Sequence, residues 1–395
     1  MRAELAKAAM SRRHGLFETH PSDQQRVNAA RALEAPGLFT IETDTRVLFA
    51  AFDQLSRLAT LDLYRTTLGL DVRPEHLRPT SEFVESIATR TRGRAAIERF
   101  YFDRYVPQRL LSCGPATFIG ESGSALVKRM ARARGEMREL ATDMGAAAAR
   151  LEEAIVLNAG ATLGERLHKG SVRVGAVGLR VPASPSAVEA ARRRAASTET
   201  AALVQFQHLD TLSMERVGAA VALLEHRAYP GDPETVAAQR GAAARLIPVF
   251  GALLSARPTI LRLRDELRVI MRLGEGAPGE DCSAAVERTI TPMLEGLRGL
   301  RLSLLDVMDP FDTERPARSL GVVAVPRQPD RKDWATVFEA VDGALQTVFD
   351  RHHRIIGHLV EIATDVEETL AAHARQRREA PSSAGVETSG GESAQ

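Results

Sequence analysis

The most regular stretch of the chain is a run of apolar positions at Leu126, Met130, Ala133, Met137, Leu140, Met144, Ala147, Leu151 and Ala154. The steps alternate between four and three residues over about four heptads, which predicts a long helix with one narrow apolar stripe. Arginines and glutamates occupy its other faces. A second long helix is expected to start at Ser184, whose hydroxyl can cap it, with Pro185 preset for the first helical position. It carries Phe206, Leu209 and Leu224 and stops at Tyr229-Pro230-Gly231. Asp232-Pro233 repeats that start. Pro248 inside the following pattern predicts a kink, and Pro258 restarts another turn. A further helix is expected over 282–308, then a proline-rich connection over 309–330. The last helix begins near Asp333 and places Trp334, Phe338, Val341, Leu345, Val348, Ile355, Leu359 and Ile362 on one side.

The pattern is weaker elsewhere. Residues 1–40 are basic and contain the turn Ala35-Pro36-Gly37. A helix is expected after Asp44, with Leu48, Phe52, Leu55 and Leu61 at helical spacing and Gly69 as its stop. Residues 80–120 read as irregular, with aromatics clustered at Phe100, Tyr101, Phe102 and Tyr105. Residues 160–182, rich in glycine and valine, read as a loop with room for short strands. The polar tail from Gln376 buries nothing and is expected to be disordered. Four regions follow: 1–40, 41–120, 121–375 and 376–395. The expected fold is all-α, a long-helix bundle or helical array with an antiparallel pair of long helices.

Composition supports this. Aromatics are only 5% of the 395 residues, and alanine, leucine and arginine dominate; these side chains lose little freedom in a helix. The formal net charge of +1 gives no field that argues for nucleic acid or an anionic membrane. Cys113 and Cys282 form neither a disulfide framework nor a cysteine zinc site and read as small core residues. The N-terminus lacks a secretory apolar core, and no uninterrupted apolar stretch suggests a membrane span. A cytoplasmic location is expected.

Candidate chemistry is sparse. A zinc peptidase of the commonest type needs H-E-x-x-H, two histidines on one helix face with a glutamate to polarise water. The ten histidines stand at 14, 20, 76, 168, 208, 226, 352, 353, 358 and 373, and none has another four residues on. His352, His353 and His358 form the densest group, with Asp350 and Glu361 nearby. Their spacing puts no two rings squarely on one face, and a solvated helix face is expected there. Gly274-Glu275-Gly276-Ala277-Pro278-Gly279 has the letters of a dinucleotide loop but follows a helix, so it reads as a linker. Gly120-Glu121-Ser122-Gly123-Ser124 resembles a nucleophile elbow without its last glycine, and reads as a turn with a serine cap. The arginine runs 129, 132, 134 and 192–194 have acidic neighbours and no interleaved aromatics, the pattern of a polar helix face. His208, between Phe206 and Leu209, reads as a packed core histidine. Met130, Met137 and Met144 read as seam residues.

One segment carries a family resemblance. Thr19-His20-Pro21-Ser22-Asp23-Gln24-Gln25-Arg26-Val27 resembles the T-H-P-x-x-x-x-R-[VI] element that closes the catalytic domain of the CAAX-prenyl-endopeptidase and HtpX type of zinc metallopeptidase, peptidase family M forty-eight. Ala35-Pro36-Gly37-Leu38-Phe39 and the stretch through Leu63-Tyr64-Arg65 and Leu68-Gly69-Leu70 are similar to the long C-terminal extension of large bacterial members. Arg354-Ile355-Ile356-Gly357-His358-Leu359 with Asp365-Val366-Glu367 fits it more loosely. The resemblance implies that His20, Pro21 and Arg26 border a peptidase domain. A helix N-terminus capped by Thr19 or Ser22 accounts for the same letters. The family holds zinc with H-E-x-x-H and a downstream E-x-x-x-D. The first is absent here, and Glu139–Asp143 and Glu361–Asp365 follow the His-Pro element in the wrong order, so no ligand carries over.

Three readings of function remain. The chain is a non-catalytic accessory region of such a peptidase, acting through its helices on a peptidase part encoded elsewhere or by self-association, with no cofactor of its own. Alternatively it is a free-standing helical scaffold. The third is an enzyme with a new site at His352, His353, His358 and Glu361. The first reading expects no bound zinc and no proteolysis by this chain alone.

Overall fold

The computed structural model describes residues 23–33, 45–74, 77, 79–106, 109–174, 181–274, 283–312, 314 and 316–379. They are overwhelmingly helical. No strand occurs among them, only an isolated bridge between Met308 and Ser319. The all-α expectation holds. The chain divides into two compact units, Met1–Phe83 and Val84–Gln395.

The described part of the first unit has α1 (Asp23–Ala32), a 3-10 turn (Thr45–Leu48), α2 (Phe52–Asp62) and a wide turn (Leu63–Thr67). The helix expected after Asp44 thus starts as a 3-10 turn and is α-helical only from Phe52. Its stop is as expected: Gly69 takes φ +64°, a left-handed conformation that favours glycine.

The larger unit holds the bundle. Its helices are α3 (Thr80–Phe100, starting in the first unit), α4 (Gly123–Leu140), α5 (Met144–Lys169), α6 (Pro185–Leu224), α7 (Pro233–Gly274), α8 (Ser283–Ser303), α9 (Leu320–Ala324) and α10 (Trp334–Glu379). The heptad seam is buried at Leu126, Met130, Ala133, Met137, Met144, Ala147, Leu151 and Ala154. The helix carrying it is broken over 141–143 into α4 and α5. There the Thr142 hydroxyl donates to the Glu139 carbonyl at 2.7 Å, competing with the helical ladder. The α4–α5 pair runs antiparallel to α6: Gly123 lies against His226, Arg129 pairs with Glu215, and Glu165 pairs with Arg192.

The caps are where the sequence puts them. Ser184 Oγ accepts from Ala187 N at 3.2 Å, Ser122 Oγ from Ala125 N at 3.3 Å, and Asp232 Oδ2 from Thr235 N at 2.9 Å. Each such cap stabilises its helix by about 1 kcal/mol.

Several expectations are corrected. Residues 80–100 are not irregular but form α3, and α5 continues through the expected loop as far as Lys169. Gly164 sits where a Cβ would meet the Pro182 carbonyl oxygen at 3.2 Å, so it marks close packing, not a loop. Helix α6 ends at Leu224, before the expected stop, and α7 continues through Pro258 in place of the expected restart, with Pro248 inside it. Trp334 is exposed at the start of α10, while Val341, Leu345, Val348, Ile355, Leu359 and Ile362 behind it are buried.

Helix α7 is also long and apolar enough, by length and composition, to cross a membrane. In the bundle it packs on α5, α8 and α10, with Leu246, Phe250, Leu253, Ile260 and Leu263 buried. Helices α3 and α10 meet at two glycines: a Cβ on Gly357 would lie 3.0 Å from Gly93 Cα. The tail beyond Glu379 lies outside the described residues.

Candidate functional site

The segment after α3 organises the centre of the bundle. Helix α3 ends in two consecutive non-glycine residues with positive φ, Phe102 at 52° and Asp103 at 60°. Asp103 N donates back to the Glu98 carbonyl at 2.8 Å, closing the helix end. Left-handed conformation costs an L residue about 1–2 kcal/mol, so packing must hold this turn. The ring series Phe100, Tyr101, Tyr105 supplies that packing, with centroids 5.2 and 5.1 Å apart. Three of the four clustered aromatics thus pack ring to ring, while Phe102 carries the Arg138 guanidinium over its ring, 5.5 Å from the centroid.

Beneath these rings lies a buried ion pair. Arg109 donates from both terminal nitrogens to Asp210 at 2.6 Å, and Ser112 N adds a third bond to that carboxylate at 2.7 Å. The Arg109 guanidinium also lies over the Phe206 ring, 4.3 Å from its centroid. Burial alone disfavours the Arg109 charge, but Asp210 outweighs it and the guanidinium is held more firmly protonated than usual. Tyr101 and Tyr105 are pushed above the ordinary phenol range, chiefly by burial. The Tyr105 hydroxyl is buried without a hydrogen-bond partner.

His352 closes the core from α10. Its ring stacks on Phe250 at 5.5 Å, and its Nε2 accepts from Leu111 N at 3.3 Å. Nδ1 therefore carries the proton, and it is buried without a partner. Burial, then the nearby Arg109, His353 and Arg257, lower its pKa to about 3. The expected solvated histidine face is thus corrected. His352 is core, His353 lies 5.6 Å from the Tyr105 ring, and His358 stacks on Phe311 at 5.8 Å. Conversely, His208 is exposed, not packed.

Other nearly buried pairs lock the helices. Arg216 of α6 grips Glu367 of α10 at 2.6 and 2.8 Å, and Arg351 of α10 grips Asp309 at 2.8 Å. Arg166 of α5 reaches Glu266 of α7 at 2.8 Å. The surface arginine runs are ion-paired as well, Arg129 and Arg132 with Glu215, and Arg194 with Glu153.

On this frame sits a cleft of about 910 Å³. One wall is α7, with Arg264, Leu267, Arg268 and Met271. The other is α10, with Asp342, Leu345, Gln346, Phe349, Asp350 and His353. Both sets follow helical spacing, so each wall is one continuous face. Ile97, Glu98, Asp103 and Tyr105, from α3 and the turn after it, line it as well. Most of the lining is apolar, and most charges at the rim have partners: Arg94 with Glu98 at 2.9 Å, Arg264 with Asp265 at 2.8 Å, Arg268 with Glu152 at 3.4 Å. Arg94, Asp350 and His353 also line a smaller pocket of about 150 Å³, with Thr89, Gly93 and the basic side chains Arg90, Arg354 and His358.

His20 and Pro21 lie outside the described residues, and Arg26 falls in α1 with its side chain outside them. Glu139 to Asp143 spans the break between α4 and α5. In the second E-x-x-x-D pair, Asp365 accepts from Gln239 at 3.1 Å. Among the described residues, no three histidine, cysteine or acidic groups are gathered as a metal site. Sequence reasoning missed Arg109, Asp210 and Arg216. A signal existed: Asp210 and Ser213 interrupt an otherwise apolar stripe through Phe206, Val217, Ala220 and Leu224. Compared with protein-family models, with curated proteins and with solved structures, the chain matches none.

Proposed function

We propose that the chain is a non-catalytic helical interaction protein that takes an apolar ligand or partner group into the cleft between α7 and α10. The observation that carries this reading is the cleft itself, about 910 Å³ and mainly apolar, on a frame cross-linked by buried ion pairs. That volume lies in the upper part of the range of small-molecule pockets, about 300–1,000 Å³. Nile red, a neutral dye that fluoresces in apolar surroundings, tests it. The full chain should enhance its fluorescence saturably, and Met271→Arg should remove most of the enhancement. Met271 is 55% exposed, so this change leaves the fold intact. Enhancement that ignores the substitution would sink the reading.

The Thr19-His20-Pro21 element with Arg26 favours a second reading, in which this helical part supports a zinc peptidase part encoded elsewhere. An H-E-x-x-H reading frame beside this gene supports it. Stoichiometric zinc in the purified chain, with chelator-sensitive peptide cleavage, would contradict the non-catalytic role in both readings.

A further inference from the structure

The small pocket beside the cleft gives the proposed ligand a chemical character. Its basic groups outnumber its acid. Arg90, Arg94 and Arg354 line it with a single carboxylate, Asp350, and Arg94 also pairs with Glu98 outside it at 2.9 Å. Asp350 is already engaged: it accepts from Arg351 at 2.6 Å, while Arg90 stands 3.6 Å away and Arg354 4.0 Å away. The Arg354 guanidinium carbon lies over the Phe311 ring, 3.8 Å from its centroid, and its buried Nε has no hydrogen-bond partner. His353 Nδ1 is likewise buried and unpartnered. Three guanidinium groups around one carboxylate form a setting in which an added carboxylate or phosphate gains charge-assisted hydrogen bonds.

The pocket adjoins the cleft at Arg94, Asp350 and His353, which line both. Away from that junction Ile97, Leu267, Met271, Leu345 and Phe349 give the cleft its apolar surface, between the charged side chains Arg264, Arg268 and Asp342. The α10 wall from Asp342 to His353 is about 16 Å long at 1.5 Å per residue. We propose that the site binds an anionic amphiphile, its acyl chain along the cleft and its carboxylate or phosphate head between Arg90, Arg94 and Arg354. This rests on the cleft being a ligand site and adds the selectivity of its charged end.

Competition against bound Nile red tests the proposal with the full chain and each competitor below its micelle concentration. Palmitate and palmitoyl lysophosphatidate offer the same tail with a carboxylate or a phosphate head, and monopalmitin offers it with a neutral head. At least one anionic competitor should displace the dye at about tenfold lower concentration than monopalmitin, the effect of one charge-assisted contact. The better of the two identifies the head. Arg90 and Arg94 are 53% and 76% exposed, so Arg90→Gln with Arg94→Gln spares the fold. That double substitution should reduce the preference to about threefold or less. Equal displacement by all three competitors overturns the proposal. So does a preference that survives the double substitution, or displacement by an acidic peptide but by no amphiphile. Each of these leaves dye binding intact, whereas loss of cleft-dependent dye binding would remove the underlying reading instead.

Discussion

A Cβ on Gly218 would sit 2.0 Å from the carbonyl oxygen of Ala116. The backbone around residue 116 lies directly on helix α6, and Ala116 N donates to the Met214 carbonyl at 3.1 Å. Residues 109–112, just before it, carry Arg109 and the Ser112 N–H into Asp210. The absent side chain at 218 thus lets the segment approach closely enough to deliver that ion pair. Gly218→Ala should destabilise the protein by about 3 kcal/mol or more, because backbone meets the new methyl and no side chain can swing away. Gly357→Ala, whose methyl would lie 3.0 Å from Gly93 Cα, should cost less. Urea denaturation midpoints of the two variants give the order, and a reversed order would count against this account.

The Arg109–Asp210 pair should behave as a buried pair does. Asp210→Ala leaves a guanidinium without its carboxylate in the core and should cost about 3–5 kcal/mol. Replacing both partners, Arg109→Met with Asp210→Leu, should recover most of that loss, since neither charge then needs solvation. The denaturation curves of the wild type, Arg109→Met, Asp210→Leu and the double variant close a double-mutant cycle and measure the coupling. A double variant as unstable as the single one would show that Asp210 acts through Ser112 and the backbone, not through Arg109.

Much of the fold was legible because apolar spacing and caps act locally. The seam from Leu126 to Ala154, the Ser184-Pro185 start and the Asp232-Pro233 start all appear where periodicity and hydrogen-bonding chemistry place them. The break at 141–143 was hidden because the apolar spacing runs through it unchanged. Helix α3 was hidden for another reason: arginines, threonines and glutamates fill it, and among its described side chains only Ala96, Ile97 and Phe100 near its end are buried. The site was the least legible part. Its ion pairs join residues far apart in sequence, such as Arg216 with Glu367, and no local pattern encodes their meeting. His352 and His208 show the same limit: helical phase decides which histidine is core, and a residue's immediate neighbours do not report it.

The caps offer a local test of the same reasoning. Ser184→Ala removes the acceptor for Ala187 N and should cost about 1 kcal/mol, with Ser184→Asp close to neutral. Equal losses in both variants would mean that packing of the α5–α6 connection, and not capping, fixes the start of α6.

Acid should weaken the fold through His352. Its ordinary pKa of 6.5 falls to about 3 in the folded chain, chiefly through burial and then through Arg109, His353 and Arg257. The unfolded chain therefore takes up a proton as pH falls through 6.5, while the folded chain does not until about pH 3. Stability from this group is complete above pH 6.5 and is lost progressively between these values, by about 1.4 kcal/mol per pH unit. His353 and His358 are shifted in the same direction, chiefly by burial, and add to the slope. Asp365 is shifted upward by burial and by Glu361, and works against it. His352→Gln isolates the main contribution, because the amide oxygen can still accept from Leu111 N without titrating. Denaturation midpoints at several values between pH 7 and 4.5 should fall less steeply for this variant than for the wild type. Parallel slopes would show that protons reach His352 in the folded state.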